Sequence, residues 1–200
     1  FCIKVCTFAY FNDIISKKRR KERKMPGFVI HIAVGKEYIK KHVNEIKNKE
    51  KFYEGILAPD LISLTDKNVS KSETHYGRWE NKELDIHLKE FLQDKSVDMS
   101  NDYWKGYFIH LLTDDAFYLK YFKEETIELI KNHDKFYYDY DCLNKSLIEK
   151  YHIDNMKNEN ISKYMGHVDG TPKYLKEDKV EKFIEDFSNI NIEEQIELIK

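Results

Sequence analysis

Apolar residues between positions 28 and 46 recur mostly at steps of three and four, at Val29, Ile32, Val34, Tyr38, Ile39, Val43 and Ile46. That periodicity predicts a first helix over residues 28–47. A short amphipathic piece over 51–57 should end at Ala58-Pro59-Asp60, because proline disfavours helix at the residue before it, which puts Asp60 on a turn. Residues 63–79 have weak periodicity and many Ser, Thr and Asn residues, and read as a long irregular segment with His75 near its end. Helices follow over 83–93, with Leu84, Leu88, Phe91 and Leu92 on one side, and over the strongly apolar 101–122. Two more are predicted over 124–132 and 136–151, broken at Asn132-His133-Asp134. Residues 155–173, with Gly166, Gly170 and Pro172, read as a surface loop, and amphipathic helices over 180–187 and 192–199 close the chain.

Composition agrees with this pattern. Three prolines and seven glycines in 200 residues are too few for a many-turned β architecture, so the expected fold class is all-α. With 41% hydrophobic and 35% charged residues the chain is globular, and its length suits one domain. Charge is uneven. Residues 1–24 carry eight Lys/Arg against Asp13 and Glu22, a net of +6, which leaves −8 for the rest. An acidic body argues against duplex nucleic acid as a partner.

The order of the N-terminal stretch, apolar residues before Lys17-Lys18-Arg19-Arg20-Lys21, inverts that of a secretory signal. Residues 1–24 are therefore expected to be a basic extension, foreign to the native protein or disordered, ahead of a single domain over 25–200. A nuclear-localisation-like or anionic-lipid patch is the alternative for the basic cluster. Cys2, Cys6 and Cys142 make no disulfide framework. With no apolar run long enough to span a bilayer, a cytoplasmic location is expected.

The candidate chemistry centres on Gly106-Tyr107-Phe108-Ile109-His110-Leu111-Leu112-Thr113-Asp114. A four-residue spacing stacks His110 and Asp114 on one helical face. Burying both among apolar neighbours is costly unless they are paired or metal-bound. His31, Asp60 and His75 add three further donors. Three imidazoles and two carboxylates exceed the need of one zinc ion, but suit two ions sharing Asp114 as a bridge, an arrangement that clamps both oxygens in phosphate-ester hydrolysis. The bland alternatives are a buried His–Asp hydrogen bond, a core His31, a turn-forming Asp60 and a solvated His75.

In order and context these residues resemble the zinc-dependent phospholipase C family, an all-α superfamily that also contains single-strand-specific zinc nucleases. The resemblance spans roughly residues 25–145, is nearest to a small bacterial branch, and rests on His31, the Pro59-Asp60 pair, His75 and the Gly106-Tyr107…His110…Asp114 helix. It implies a compact helical bundle in which Asp60, His75, His110 and Asp114 bind one zinc, while His31 and Asp114 hold a second together with the mature N-terminal amine. It further implies a phosphodiesterase that sends metal-bound hydroxide at phosphorus, with Asp60 as general base and a phosphate ester, a phospholipid among the options, as substrate. Tyr76, Trp79, Tyr107 and Phe108 would line an apolar mouth.

The family's third zinc needs a downstream His, His, Glu set, which the chain lacks. His133, Asp134, Asp139 and Asp141 are the residues left to substitute. Phe1, thirty residues before His31, is a poor match for the family's N-terminal amine.

Two other readings stand. One is a non-catalytic helical domain with a structural metal or an interaction role. The other is a His-Asp metal-dependent phosphohydrolase threaded through His110, His133-Asp134 and Asp169 or Asp178.

Overall fold

The computed structural model describes residues 27–80, 83–125, 133–153 and 165–200, with the side chains of 78–80, 83–84 and 133–135 outside the description. The chain is mostly helical, consistent with the all-α expectation. Helices α1 (Phe28–Lys41) and α2 (Lys49–Thr65) are followed by a single turn, α3 (Lys71–Thr74). An antiparallel hairpin comes next, β1 (Gly77–Glu80) with β2 (Glu83–Ile86), in the register Gly77↔Ile86 and Trp79↔Leu84. Then come α4 (Leu88–Gln93), α5 (Asp102–Ala116) with a π-turn over Phe117–Tyr121, α6 (His133–Lys150), α7 (Glu177–Phe187) and α8 (Ile192–Ile199). No helix among the described residues is long and apolar enough to cross a membrane.

Two helices are central. In α1 every residue from Phe28 to Val34 is buried, and in α5 every residue from Gly106 to Thr113 is buried, as is Asp114. A helix enclosed on all sides has no solvent face for its polar residues, so His31, His110 and Asp114 are buried with the core. The α2–α5 pairing is the most extensive helix contact, and two glycines permit it. A Cβ on Gly55 would lie 1.9 Å from the Tyr103 carbonyl oxygen, and one on Gly106 would lie 2.0 Å from that of Phe52. The helix backbones thus touch at both crossings, a separation no larger residue allows.

Local signals set the ends of these elements. Asn48 caps α2 by accepting from Lys51 N at 3.0 Å, and Asn101 caps α5 by accepting from Tyr103 N at 2.9 Å. Asp102 Oδ2 also accepts from Asn48 N at 2.6 Å, tying the two starts together.

Three sequence expectations change. The first helix stops at Lys41, not 47. Pro59 does not end α2. It lies inside a helix that continues to Thr65, so Asp60 is a buried helical residue and not a turn residue. Packing against α5 outweighs the proline penalty there. Finally, residues 63–93 are more ordered than expected. The stretch 63–79 contains the end of α2, the α3 turn and β1, and the helix expected over 83–93 is a strand followed by a short helix. The alternation in Glu83-Leu84-Asp85-Ile86 is strand-like. The N-terminal extension and most of the helix expected over 124–132 lie outside the described residues, as do 155–164 of the expected loop.

Candidate metal centre

Each donor is delivered by a different local device. His31 lies in the second turn of α1, and His110 and Asp114 one turn apart on α5, all at most 1% exposed. Asp60 follows Pro59 in α2 and is 5% exposed. His75 caps the C-terminus of α3, whose N-terminus is a capping box: Ser70 Oγ accepts from Glu73 N, and the Glu73 carboxylate accepts from Ser70 N. The hydroxyl of Tyr107 on α5 donates to the Thr74 carbonyl and clamps this turn onto the core. Tyr76, at φ 47, turns the chain away directly after His75. Such a left-handed bulky residue is uncommon, and its hydroxyl is anchored to Asp94 Oδ2 at 2.7 Å.

The five side chains converge. His31 Nε2 is 3.3 Å from Asp114 Oδ1, while His75 Nε2 and His110 Nε2 are each 3.6 Å from Asp114 Oδ2. His75 Nε2 lies 3.3 Å from Asp60 Oδ1 and 3.1 Å from His110 Nε2. The His31 and His110 rings stack at 3.8 Å with 10° between their planes. Asp114 therefore presents one oxygen to His31 and the other to His75 and His110.

Hydrogen bonds on the far side of two rings fix their tautomers. His110 Nδ1 is 2.7 Å from the Ile56 carbonyl oxygen, one turn of α2 before Asp60. His75 Nδ1 is 2.9 Å from the Lys71 carbonyl oxygen and 2.9 Å from Thr74 Oγ1. A carbonyl can only accept, so both Nδ1 atoms carry a proton and both Nε2 atoms face inward, where a neutral ring offers a lone pair. This outer hydrogen bonding is what orients metal-binding imidazoles.

Burial sets the charge state. It drives the His31 imidazole down from 6.5 to about 4, against the pull of Asp60. It also drives His110 well below its ordinary value, with His31 adding to the effect. Asp114 is pushed up by burial, against the attraction of His110 and His75. Burial opposes ionisation of Asp60 too, but the Lys71 ammonium and the nearby histidines overcome it and hold that carboxyl well below the usual range. Lys71 Nζ is 2.5 Å from Asp60 Oδ1.

Both oxygens of Asp114 and both nitrogens of His31 are buried without a hydrogen-bond partner, since the 3.3 Å contact between them lacks hydrogen-bond geometry. Orphaned polar atoms of this kind are rare and call for a missing partner such as an ion. Among the described residues, two groups have donor atoms close enough for one cation, His31–His110–Asp114 and Asp60–His75–His110, each within 4.8 Å throughout. The buried cluster can hold a metal ion.

No family model, curated protein or solved structure matches the chain.

The substitutes named for a third ion fare differently. Asp139 is fully buried, but its carboxylate accepts from the backbone N–H groups of Lys173 (2.8 Å), Tyr174 (2.5 Å) and Leu175 (2.9 Å), so it anchors the 165–175 segment to α6 instead of facing the cluster. Asp141 belongs to neither donor group. The side chains of His133 and Asp134 lie outside the described residues. Asp169 is exposed, and Asp178 is exposed in a surface cleft with Glu37, Lys41 and Glu181, apart from buried His110. Tyr107 and Phe108 are core residues stacked on Phe91 at 5.5 and 5.8 Å, not the lining of a mouth. Tyr76 packs edge-on against the same ring at 5.3 Å, and the Trp79 side chain lies outside the description. Sequence reasoning missed Lys71, although the Ser70…Glu73 capping-box signature marks the turn that carries it.

Proposed function

We propose that the chain is a zinc-dependent hydrolase of phosphate esters, a phosphodiesterase of the phospholipase C type, with His31, Asp60, His75, His110 and Asp114 sharing two zinc ions. The observation that carries this reading is the pair of inward-facing Nε2 atoms on His75 and His110, 3.1 Å apart beside the unpartnered Asp114 carboxylate. Ligands on a tetrahedral zinc at Zn–N distances of about 2.0–2.1 Å are roughly 3.3 Å from one another, close to the 3.1–3.6 Å separations in the cluster. Mixed imidazole and carboxylate donors favour zinc over magnesium or calcium.

When bound, zinc would supply Lewis acidity toward a phosphoryl oxygen and lower the pKa of water. The chain's own residues do the rest. Asp114 offers one oxygen to each half of the cluster and neutralises part of the charge. His75 and His110, with their Nδ1 protons committed to carbonyls, keep Nε2 aimed inward. Asp60, kept ionised beside Lys71, is the group able to accept a proton from an attacking water. The buried walls around α1 and α5 exclude bulk water, which strengthens each electrostatic contact.

A structural metal centre is the second reading, favoured by the burial of all five donors to 5% exposure or less. Hydrolysis of bis(p-nitrophenyl) phosphate and of phospholipid vesicles by the zinc-loaded chain separates the two. Turnover by the zinc-loaded chain that disappears in Asp60→Asn supports the hydrolase. Zinc-dependent folding without turnover on either substrate supports the structural centre.

A further inference from the structure

The charge balance of the cluster is uneven in a way that involves a residue outside the donor set. Around Asp114, the carboxylate oxygens have no hydrogen-bond partner. Around Asp60, a protein cation is already present. Lys71 Nζ sits 2.5 Å from Asp60 Oδ1, the same oxygen that faces His75 Nε2 at 3.3 Å. The lysine side chain is 16% exposed and the aspartate 7%, so the ammonium approaches from the more open side of the pair. Lys71 is also the residue whose carbonyl fixes the His75 tautomer. Its main chain thus prepares one donor for a cation, while its side chain occupies the carboxylate next to that donor.

We infer that Lys71 is a resident counter-cation of the Asp60–His75–His110 group, and that a divalent ion entering this group competes with it for Asp60. The inference rests on the reading that the cluster binds a divalent metal, and adds a sign to it. An ammonium and a divalent ion sharing one buried carboxylate repel in a low-dielectric setting. Lys71 therefore holds metal affinity down and keeps the ion exchangeable, while preventing an uncompensated Asp60 charge when the ion is absent. A lysine that merely aimed the carboxylate would have the opposite effect on affinity.

Titration of the full-length chain with cobalt(II), read by visible absorbance, tests this. Lys71→Met should bind cobalt at least about tenfold more tightly than wild type, and Lys71→Arg, which keeps the cation, should stay near wild type. In an Asp60→Asn background, Lys71→Met should have no effect on affinity. Lys71→Gln, a polar replacement, serves in place of Lys71→Met should that variant fail to fold without metal, with melting temperature as the check on folding. Folded Lys71 variants that bind cobalt as wild type does, or more weakly, overturn the counter-cation role and leave the metal reading intact. Wild type that binds no cobalt overturns both.

Discussion

His75 and His110 bring their Nε2 atoms to 3.1 Å inside a buried site, while the Nδ1 of each ring faces a main-chain carbonyl. Two inward-facing ring nitrogens this close compete for one proton, and burial opposes an added positive charge on His110. A bound cation relieves that competition instead. Zinc at a hundredfold excess over its Kd should stabilise the chain by about 2.7 kcal/mol, by mass action. Thermal melts with zinc and with a chelator measure this, and His110→Ala should abolish the difference.

Without metal, His31 makes stability depend on pH. Its imidazole is held at about 4 in the fold against an ordinary 6.5, so the unfolded chain binds the extra proton between those values. Stability is complete above about 6.5 and is lost as pH falls toward about 4, by about 3 kcal/mol in all. Asp114, raised by burial, contributes with the opposite sign. Denaturant midpoints in chelator at about pH 7 and about pH 4.5 should therefore fall further for wild type than for His31→Leu. Equal losses would contradict the assignment.

Gly106 governs how closely α5 approaches α2, and with it the position of His110 against the Ile56 carbonyl. The 2.0 Å clash of an added Cβ with the Phe52 oxygen has only backbone to push against. Gly106→Ala should cost about 3 kcal/mol or more and weaken metal binding together with stability. Gly166→Ala, where nothing lies near the added methyl, is the matched control.

Much of the site was readable from residue types and spacing, because the helical step of four that joins His110 to Asp114 is itself the geometry of the contact. The positions of His31, Asp60 and His75 relative to that pair were not readable from local pattern. They depend on helix approach at Gly55 and Gly106 and on the Tyr107 clamp over Thr74, which are tertiary contacts. Pro59 misled for a related reason, since a local propensity was outweighed by burial. The hairpin was obscured because Leu84 and Leu88 also fit a helical step. Asp139 looked like a spare ligand because sequence shows a carboxylate and not the three N–H groups that occupy it.

Asp139 gives a further prediction. Asp139→Ala removes the acceptor of three backbone N–H groups, that of Leu175 buried and those of Lys173 and Tyr174 part-buried, and should destabilise by about 3 kcal/mol, yet leave zinc content unchanged. Zinc loss in a variant that remains folded would return this residue to the metal centre.

Elemental analysis of zinc per chain in the purified, zinc-equilibrated and desalted protein, alongside Asp114→Asn, tests whether the cluster holds two ions. Two ions per wild-type chain, falling to one or none in the variant, are predicted because Asp114 presents an oxygen to each half of the cluster. A folded wild-type chain that retains no zinc, and whose melting temperature zinc does not move, would contradict it.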